Sequence, residues 1–172
     1  MHMIWRTLTI FFMKRFLKKS QIGEVTEYSM RVFPTDLDLL MHVNNGIYFS
    51  LMDFGRWDMV FRSGVYDACG KKGWYAVVAG ETIKFKKSLK LWDKFTLQTQ
   101  VVGHDEKNFF IRQKFMKKGE LMATGLVKVR FLKKKGGTVN PEEIYTELGL
   151  PQEKKALDLS LEWLALESKY MA

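Results

Sequence analysis

From Gly46 to Ser63 the chain carries no turn signal until Gly64, and apolar side chains cover most of the circumference of the helix this segment predicts. Ile47, Leu51, Phe54 and Phe61 form one stripe, while Tyr48, Phe49, Met52, Trp57, Met59 and Val60 spread over the other faces. A helix that is apolar nearly all round must be covered on most sides. A chain of 172 residues has room for one core. The expected solution is a sheet wrapped around the helix, with a second subunit covering the rest. Asn44 or Asn45 is suited to start the helix, because its amide oxygen can accept a free first-turn N–H. Gly64 is suited to end it.

The sheet can be traced by its period of two. Tyr28, Met30 and Val32 alternate with Ser29 and Arg31, which predicts a strand from Val25 to Phe33 closed by Pro34. Runs at Tyr75 to Lys87, Phe95 to Gly103, Asn108 to Met116 and Leu121 to Lys133 read as further strands. The links Asp105-Glu106-Lys107 and Lys117-Lys118-Gly119 are hairpin-length, so the pairing is antiparallel. After Gly136-Gly137 two helical segments are expected, one starting near Pro141 and one from Gln152 to Lys169. The order predicts an α+β domain, a long central helix wrapped by a curved antiparallel sheet of about five strands. We divide the chain into a basic amphipathic helix at 1–22, the domain at 23–137 and a helical extension at 138–172.

In the first segment Trp5, Leu8, Phe12 and Phe16 share one helical face, and Arg6, Lys14 and Lys18 share the other. The charges lie within and after the apolar residues, and no small-residue cleavage pattern follows, unlike a signal peptide. Two readings stay open: a helix lying on anionic lipid, or one docked against the domain or a partner subunit.

Lys+Arg 28 against Asp+Glu 19 gives a net charge of +9, which favours an anionic partner. No nucleic-acid-binding motif accompanies that charge, so a nucleic-acid partner is not expected. The lone Cys69 forms no internal disulfide, and His2, His42 and His104 lack metal-ligand spacing. Neither a metal nor a cofactor is expected, and no apolar run approaches the ~20 residues that span a bilayer. These features fit a cytoplasmic protein with peripheral membrane contact through residues 1–20.

The chemistry is concentrated before the long helix. Asp36, Asp38, His42, Asn44 and Asn45 crowd the stretch that leads into it. A helix N-terminus carries partial positive charge and free N–H groups, so a carbonyl placed there is polarised and an oxyanion stabilised. A neighbouring carboxylate can attack or activate water, which suits hydrolysis of an activated acyl group. Each residue also has a plain structural use: Asp36 to close a turn, the asparagines to cap, His42 to fix the loop. Asp53 is placed to pair with Arg56.

The string Asp36-Leu37-Asp38, followed by His42-Val43-Asn44-Asn45-Gly46-Ile47-Tyr48, resembles the signature of hotdog-fold acyl thioesterases of the 4-hydroxybenzoyl-CoA thioesterase type. The similarity runs from about Val25 to Lys133 and takes in Val78-Ala79-Gly80-Glu81-Thr82-Ile83 and Gly119-Glu120. Asn44-Asn45-Gly46 and Ser50-Leu51-Met52-Asp53, together with the N-terminal helix, resemble the THEM6-like branch. This resemblance implies a hotdog fold, subunits joined edge to edge as a homodimer or tetramer, and an acyl-CoA substrate at the subunit interface. It implies Asp38 as nucleophile or general base with His42 in support, and Asn44, Asn45, Gly46, Tyr48, Gly80 and Glu81 as substrate-binding residues. Leu40 stands where plant acyl-carrier-protein members have an asparagine, a departure from their multi-residue network. Lys84, Lys86, Lys87, Lys90 and Lys133-Lys134-Lys135 fit an anionic nucleotide, although they also read as solvated strand positions. A hotdog dehydratase would place its helix acid about fourteen residues after the histidine, whereas Asp53 follows His42 by eleven. The remaining alternative is a non-catalytic acyl- or lipid-binding hotdog module at a membrane surface.

Overall fold

The computed structural model describes residues 2–150. The helices are α1 (His2–Met13), α2 (Asn45–Arg62), α3 (Val65–Lys72) and α4 (Pro141–Glu147). The strands are β1 (Thr26–Arg31), β2 (Trp74–Phe85), β3 (Lys94–His104), β4 (Asn108–Lys117), β5 (Glu120–Lys133) and β6 (Thr138–Val139). The sheet is antiparallel in the order β1-β3-β4-β5-β2. β6 pairs with Phe131 and Leu132 of β5, just beyond Arg130, where β4 begins its own pairing with β5.

The long helix forms as the sequence predicts. Asn44 is its cap, with Oδ1 accepting the Gly46 N–H at 2.8 Å. Its far end is closed by Gly64, which sits at φ +77°, a conformation that suits glycine. The chain then re-enters a short helix, α3, which the sequence reading did not anticipate.

The sheet curls around α2 until every long strand reaches it. Irregularities at Val78/Gly80 in β2 and Val101/Gly103 in β3 locally bend and twist the sheet. A Cβ on Gly55 would lie 2.5 Å from Thr99 Oγ1 of β3 and 2.7 Å from Gln113 Nε2 of β4, so glycine is what permits the close approach. On β5, a Cβ at Gly125 would lie 2.5 Å from Met52 Cε, and Glu81 of β2 reaches Arg56 of α2. This is the central-helix-and-curled-sheet arrangement that the resemblance implies.

The covering of α2 differs from expectation in its source. The sheet leaves one side open, and that side is covered largely by α1 and α3 of the same chain. Ile10 is buried, and the Phe11 ring packs on Trp57, Phe61 and Tyr66. The free edge of β2 leaves Tyr75, Val78 and Phe85 exposed.

α1 docks against the domain, one of the two sequence readings, in an orientation the helical wheel does not give. Arg6 turns inward and pairs with the buried Asp36 at 2.7 Å, and Lys14, just after the helix, pairs with the exposed Asp67 at 2.6 Å. Trp5, Leu8, Phe12 and Phe16 face outward. In the C-terminal segment Ile144 is buried and Tyr145 packs on His104 and Phe109. The helix expected from Gln152 to Lys169 lies outside the described residues.

Candidate active site

The segment between β1 and α2 is a tight hairpin. Leu37 bridges Val43, and the Asp38 N–H donates to the His42 carbonyl at 2.8 Å. At its tip the Asp38 carboxylate works as a turn-former: Oδ1 accepts the Leu40 N–H at 2.9 Å and the His42 N–H at 3.3 Å. This allows Met41 to sit at φ +60°, unfavourable for a side-chain-bearing residue. Oδ2 of Asp38 and the His42 ring have no hydrogen-bond partner among the described residues, and both residues are half-buried.

The hairpin is held from three directions. The Val43 N–H donates to Leu89 O at 3.0 Å, and His42 bridges Lys90. The Asn44 N–H donates to the Asp36 carbonyl at 2.9 Å. The buried Asp36 carboxylate in turn accepts from Arg6 and from the Phe33 N–H at 2.9 Å. So Asp36 does close a turn, as its residue type suggested, and it also joins α1 to the start of α2.

At the helix tip most donors are already used. The Gly46 N–H goes to Asn44 Oδ1 and the Ile47 N–H to the Asn44 carbonyl at 2.9 Å. The Asn45 N–H has no acceptor among the described residues, and Asn45 is exposed. The positive end of the helix is therefore narrowed to one open amide. Tyr48 lies deeper. Its ring packs edge-on against Phe85 and Phe115, and its hydroxyl accepts the Leu89 N–H at 3.2 Å. Burial raises its phenol above the ordinary 10.0, against the opposing effect of the Leu89 hydrogen bond. Through Leu89, which holds Val43, Tyr48 supports the hairpin from below while its side chain stays in the core.

Gly80 and Glu81 belong to a second polar centre, on β2. Gly80 sits at the bulge. Glu81 Oε1 accepts from Arg56 Nη2 at 3.1 Å, the same nitrogen that donates to Asp53 Oδ1 at 2.6 Å. Arg56 Nη1 donates to Gln113 Oε1 at 3.0 Å, and Gln113 Nε2 donates to Met52 O at 2.9 Å and Thr99 Oγ1 at 3.0 Å. Burial lifts the Glu81 carboxyl above its ordinary value even with Arg56 beside it, and Asp53 adds to the effect. Glu81 Oε2 is buried without a hydrogen-bond partner among the described residues. The Asp53–Arg56 pair was legible in the sequence, but the roles of Gln113 and Thr99 were not. Their only signal is a polar residue at an inward position of an otherwise apolar strand face.

Beside this centre a mainly apolar cavity of about 440 Å³ lies between α2, α3 and the sheet. Trp57, Val60, Val65, Trp74, Val101 and Phe131 line it, with Asp53, Arg56 and Lys134 as charged lining residues. Neither Asp38 nor His42 lines it. Within one chain, the hairpin and the cavity are separate.

Residues 32–157 match the family described as the thioesterase-like superfamily. The chain belongs to that superfamily. It is 40% identical over 89 residues to Protein THEM6 of Xenopus laevis, covering 52% of this chain and 43% of that one. The chain thus spans about half the length of the curated relatives it matches first. Among solved structures it resembles the YbaW probable thioesterase of Escherichia coli, with a TM-score of 0.66, 22% identity, and coverage of 71% of this chain and 95% of that one. It also resembles the BH1999 gentisyl-coenzyme A thioesterase, with a TM-score of 0.62, 22% identity, and coverage of 69% and 98%. These likenesses establish the hotdog fold.

In this superfamily member the lysines are divided between pairing and solvent. Lys87 pairs with Glu120, and Lys133 with Glu143 at 2.8 Å. Lys84, Lys86 and Lys90 are exposed on and after β2. No described helix is long and apolar enough to cross a membrane.

Proposed function

We propose that this protein hydrolyses acyl-CoA thioesters to the free acid and CoA, with Asp38 as nucleophile or as general base toward water. The supporting observation is the division of labour within one carboxylate. Oδ1 is fixed by the Leu40 and His42 amides, which leaves Oδ2 unbonded on a pinned hairpin that leads into α2. The open Asn45 N–H is the candidate donor to the thioester carbonyl, worth most as negative charge grows on that oxygen. Attack by Oδ2, or by water that Oδ2 deprotonates, forms the new C–O bond and expels the CoA thiolate, which takes up a proton. In the first case water then cleaves the acyl–aspartate anhydride. His42 is the supporting polar group. Asn44 and Gly46 shape the helix tip, and Gly80 and Glu81 contribute from β2.

The separation of hairpin and cavity supports a site completed between subunits, in a homodimer joined along the free edges of β2. An unpaired edge of this length invites pairing with another chain. The apolar cavity suits the acyl group, and Lys84, Lys86 and Lys90 suit the anionic nucleotide. A cytoplasmic setting accords with the lone, buried Cys69. The second reading, a non-catalytic acyl- or lipid-binding module in peripheral contact with a membrane, rests on the outward apolar face of α1.

Asp38→Asn separates the two readings. The asparagine oxygen can still accept the turn's N–H groups, so the hairpin stays formed while the charge is lost. Thiol release from a panel of acyl-CoA esters should fall more than a hundredfold. A fall below tenfold, about 1.4 kcal/mol in the barrier, removes Asp38 from the centre of the reaction. Acyl-CoA binding by the unmodified protein without thiol release would identify the binding module.

A further inference from the structure

We propose that the outer face of α1 and the tip of the Asp38 hairpin together form a docking surface for an anionic lipid bilayer, so that the thioester is taken from the membrane. The part concerning the substrate rests on the hydrolase reading above; the docking surface does not.

The first observation is the direction in which α1 faces. A helix packed on a domain in water ordinarily turns its apolar side in and its charges out. Here Arg6 is held inward by the buried Asp36, and Lys14, just past the helix, is tied to Asp67 at the surface. The outward side presents Trp5 at 74% exposure and Phe12 at 78%, with Leu8 between them. Aromatic and aliphatic side chains of this kind are suited to the boundary between headgroups and acyl chains.

The second observation is charge. Immediately after α1 come Arg15, Lys18 and Lys19, all exposed, in a chain of net charge +9. That arrangement complements a negatively charged surface.

The third is the hairpin tip. Leu39 is fully exposed, and Leu40 and Met41 beside it are largely so. Nothing in the turn requires apolar residues there, since the bonds that close it are made by backbone groups and the Asp38 carboxylate. The tip and α1 are tied to one another through Asp36, two residues before Asp38 and in direct contact with Arg6. Lipid contact by both brings the free Oδ2 to the level of the interface, where an acyl chain can pass from the bilayer to the site. A second copy of the chain is the weaker occupant. Two copies facing each other here would bring the exposed Arg15, Lys18 and Lys19 of each together, like charge against like charge.

The test is co-sedimentation of the full chain with vesicles of phosphatidylcholine alone and of phosphatidylcholine mixed with phosphatidylglycerol, with no substrate present. The expected result is binding to the mixed vesicles and weak binding to the neutral ones. The double variant Trp5→Ser/Phe12→Ser should lose binding more than about tenfold and keep its activity on a soluble short-chain ester. Leu39→Ser/Leu40→Ser, a second variant at a different point of the surface, should also weaken binding. Absence of binding by the unmodified protein overturns the proposal, as does equal binding by both variants. A drop in oligomeric mass in the Trp5/Phe12 variant, with no vesicle binding by the parent, overturns it in favour of a second copy. Because sedimentation is read without turnover, failure of the hydrolase reading leaves its outcome unaffected.

Discussion

The Arg6 guanidinium donates to both carboxylate oxygens of Asp36, at 3.2 and 2.7 Å, and this bond joins the N-terminal helix to the hairpin that carries Asp38. Asp36 is fully buried and Arg6 nearly so. Removing one partner of a buried pair weakens the compensation of the other's charge and costs up to about 3–5 kcal/mol. Arg6→Met should therefore destabilise the protein in urea unfolding, by at most about that amount. Adding Asp36→Asn should recover a large part of the loss, since the amide oxygen can still accept the Phe33 N–H. A double variant no more stable than Arg6→Met would show that the pair does not carry the effect.

Glycines at two helical positions should respond with opposite signs. Gly55→Ala would press a methyl group to 2.5 Å from Thr99 Oγ1 and 2.7 Å from Leu97 Cδ2, and overpacking of this kind costs about 1–3 kcal/mol. Nothing lies within 4 Å of a Cβ at Gly70 in α3, so Gly70→Ala should gain the ordinary helix preference of up to about 1 kcal/mol. Thermal melts of the two variants should shift down and up respectively.

Stability near the Arg56 centre should depend on pH through Glu81. Burial first, then the charge of Asp53, raises its carboxyl above 4.5, while Arg56 works against them. A carboxyl with a raised folded pKa holds its proton more tightly in the folded state. Its contribution is fully present below 4.5 and is lost as pH rises through the raised value. Relative to Glu81→Gln, the unmodified protein should lose melting temperature across that window. Parallel melting curves from pH 4 to pH 7 would contradict this.

The free edge of β2 can be blocked where it bulges. Ala79 has no register partner on β5, lying between the Val78 and Gly80 pairs, so Ala79→Pro spares the ladder within the sheet. Light scattering should report a dimer for the unmodified protein and a monomer for the variant. Thiol release should fall with the mass if the site is completed between subunits. A variant that remains dimeric would move the interface away from β2.

Much of the frame was legible because it is set by neighbours in sequence. The hairpins at Asp105 to Lys107 and at Lys117 to Gly119, the cap at Asn44 and the stop at Gly64 each depend on residues a few positions apart. α3 was missed because VYDACGKK is short, carries its own glycine and polar residues, and has too little periodicity to declare a helix. At the site, Asp38, His42, Asn44, Asn45 and Gly46 stand together because they are contiguous. Gly80 and Glu81 join Arg56 instead, at a centre assembled from α2, β2, β3 and β4. Tyr48, substrate-binding by the resemblance, supports the hairpin through Leu89, a residue 41 positions away.

The sequence alone determined that a long apolar helix must be wrapped by an antiparallel sheet, and that a carboxylate-bearing turn precedes that helix. Both follow from short-range periodicity and capping. Only the tertiary structure decided which way α1 faces. Its two faces were equally plain on a helical wheel, but the carboxylates that draw Arg6 inward and hold Lys14 lie 30 and 53 residues along the chain. No local pattern encodes that choice, because it depends on which charges the completed fold brings within reach.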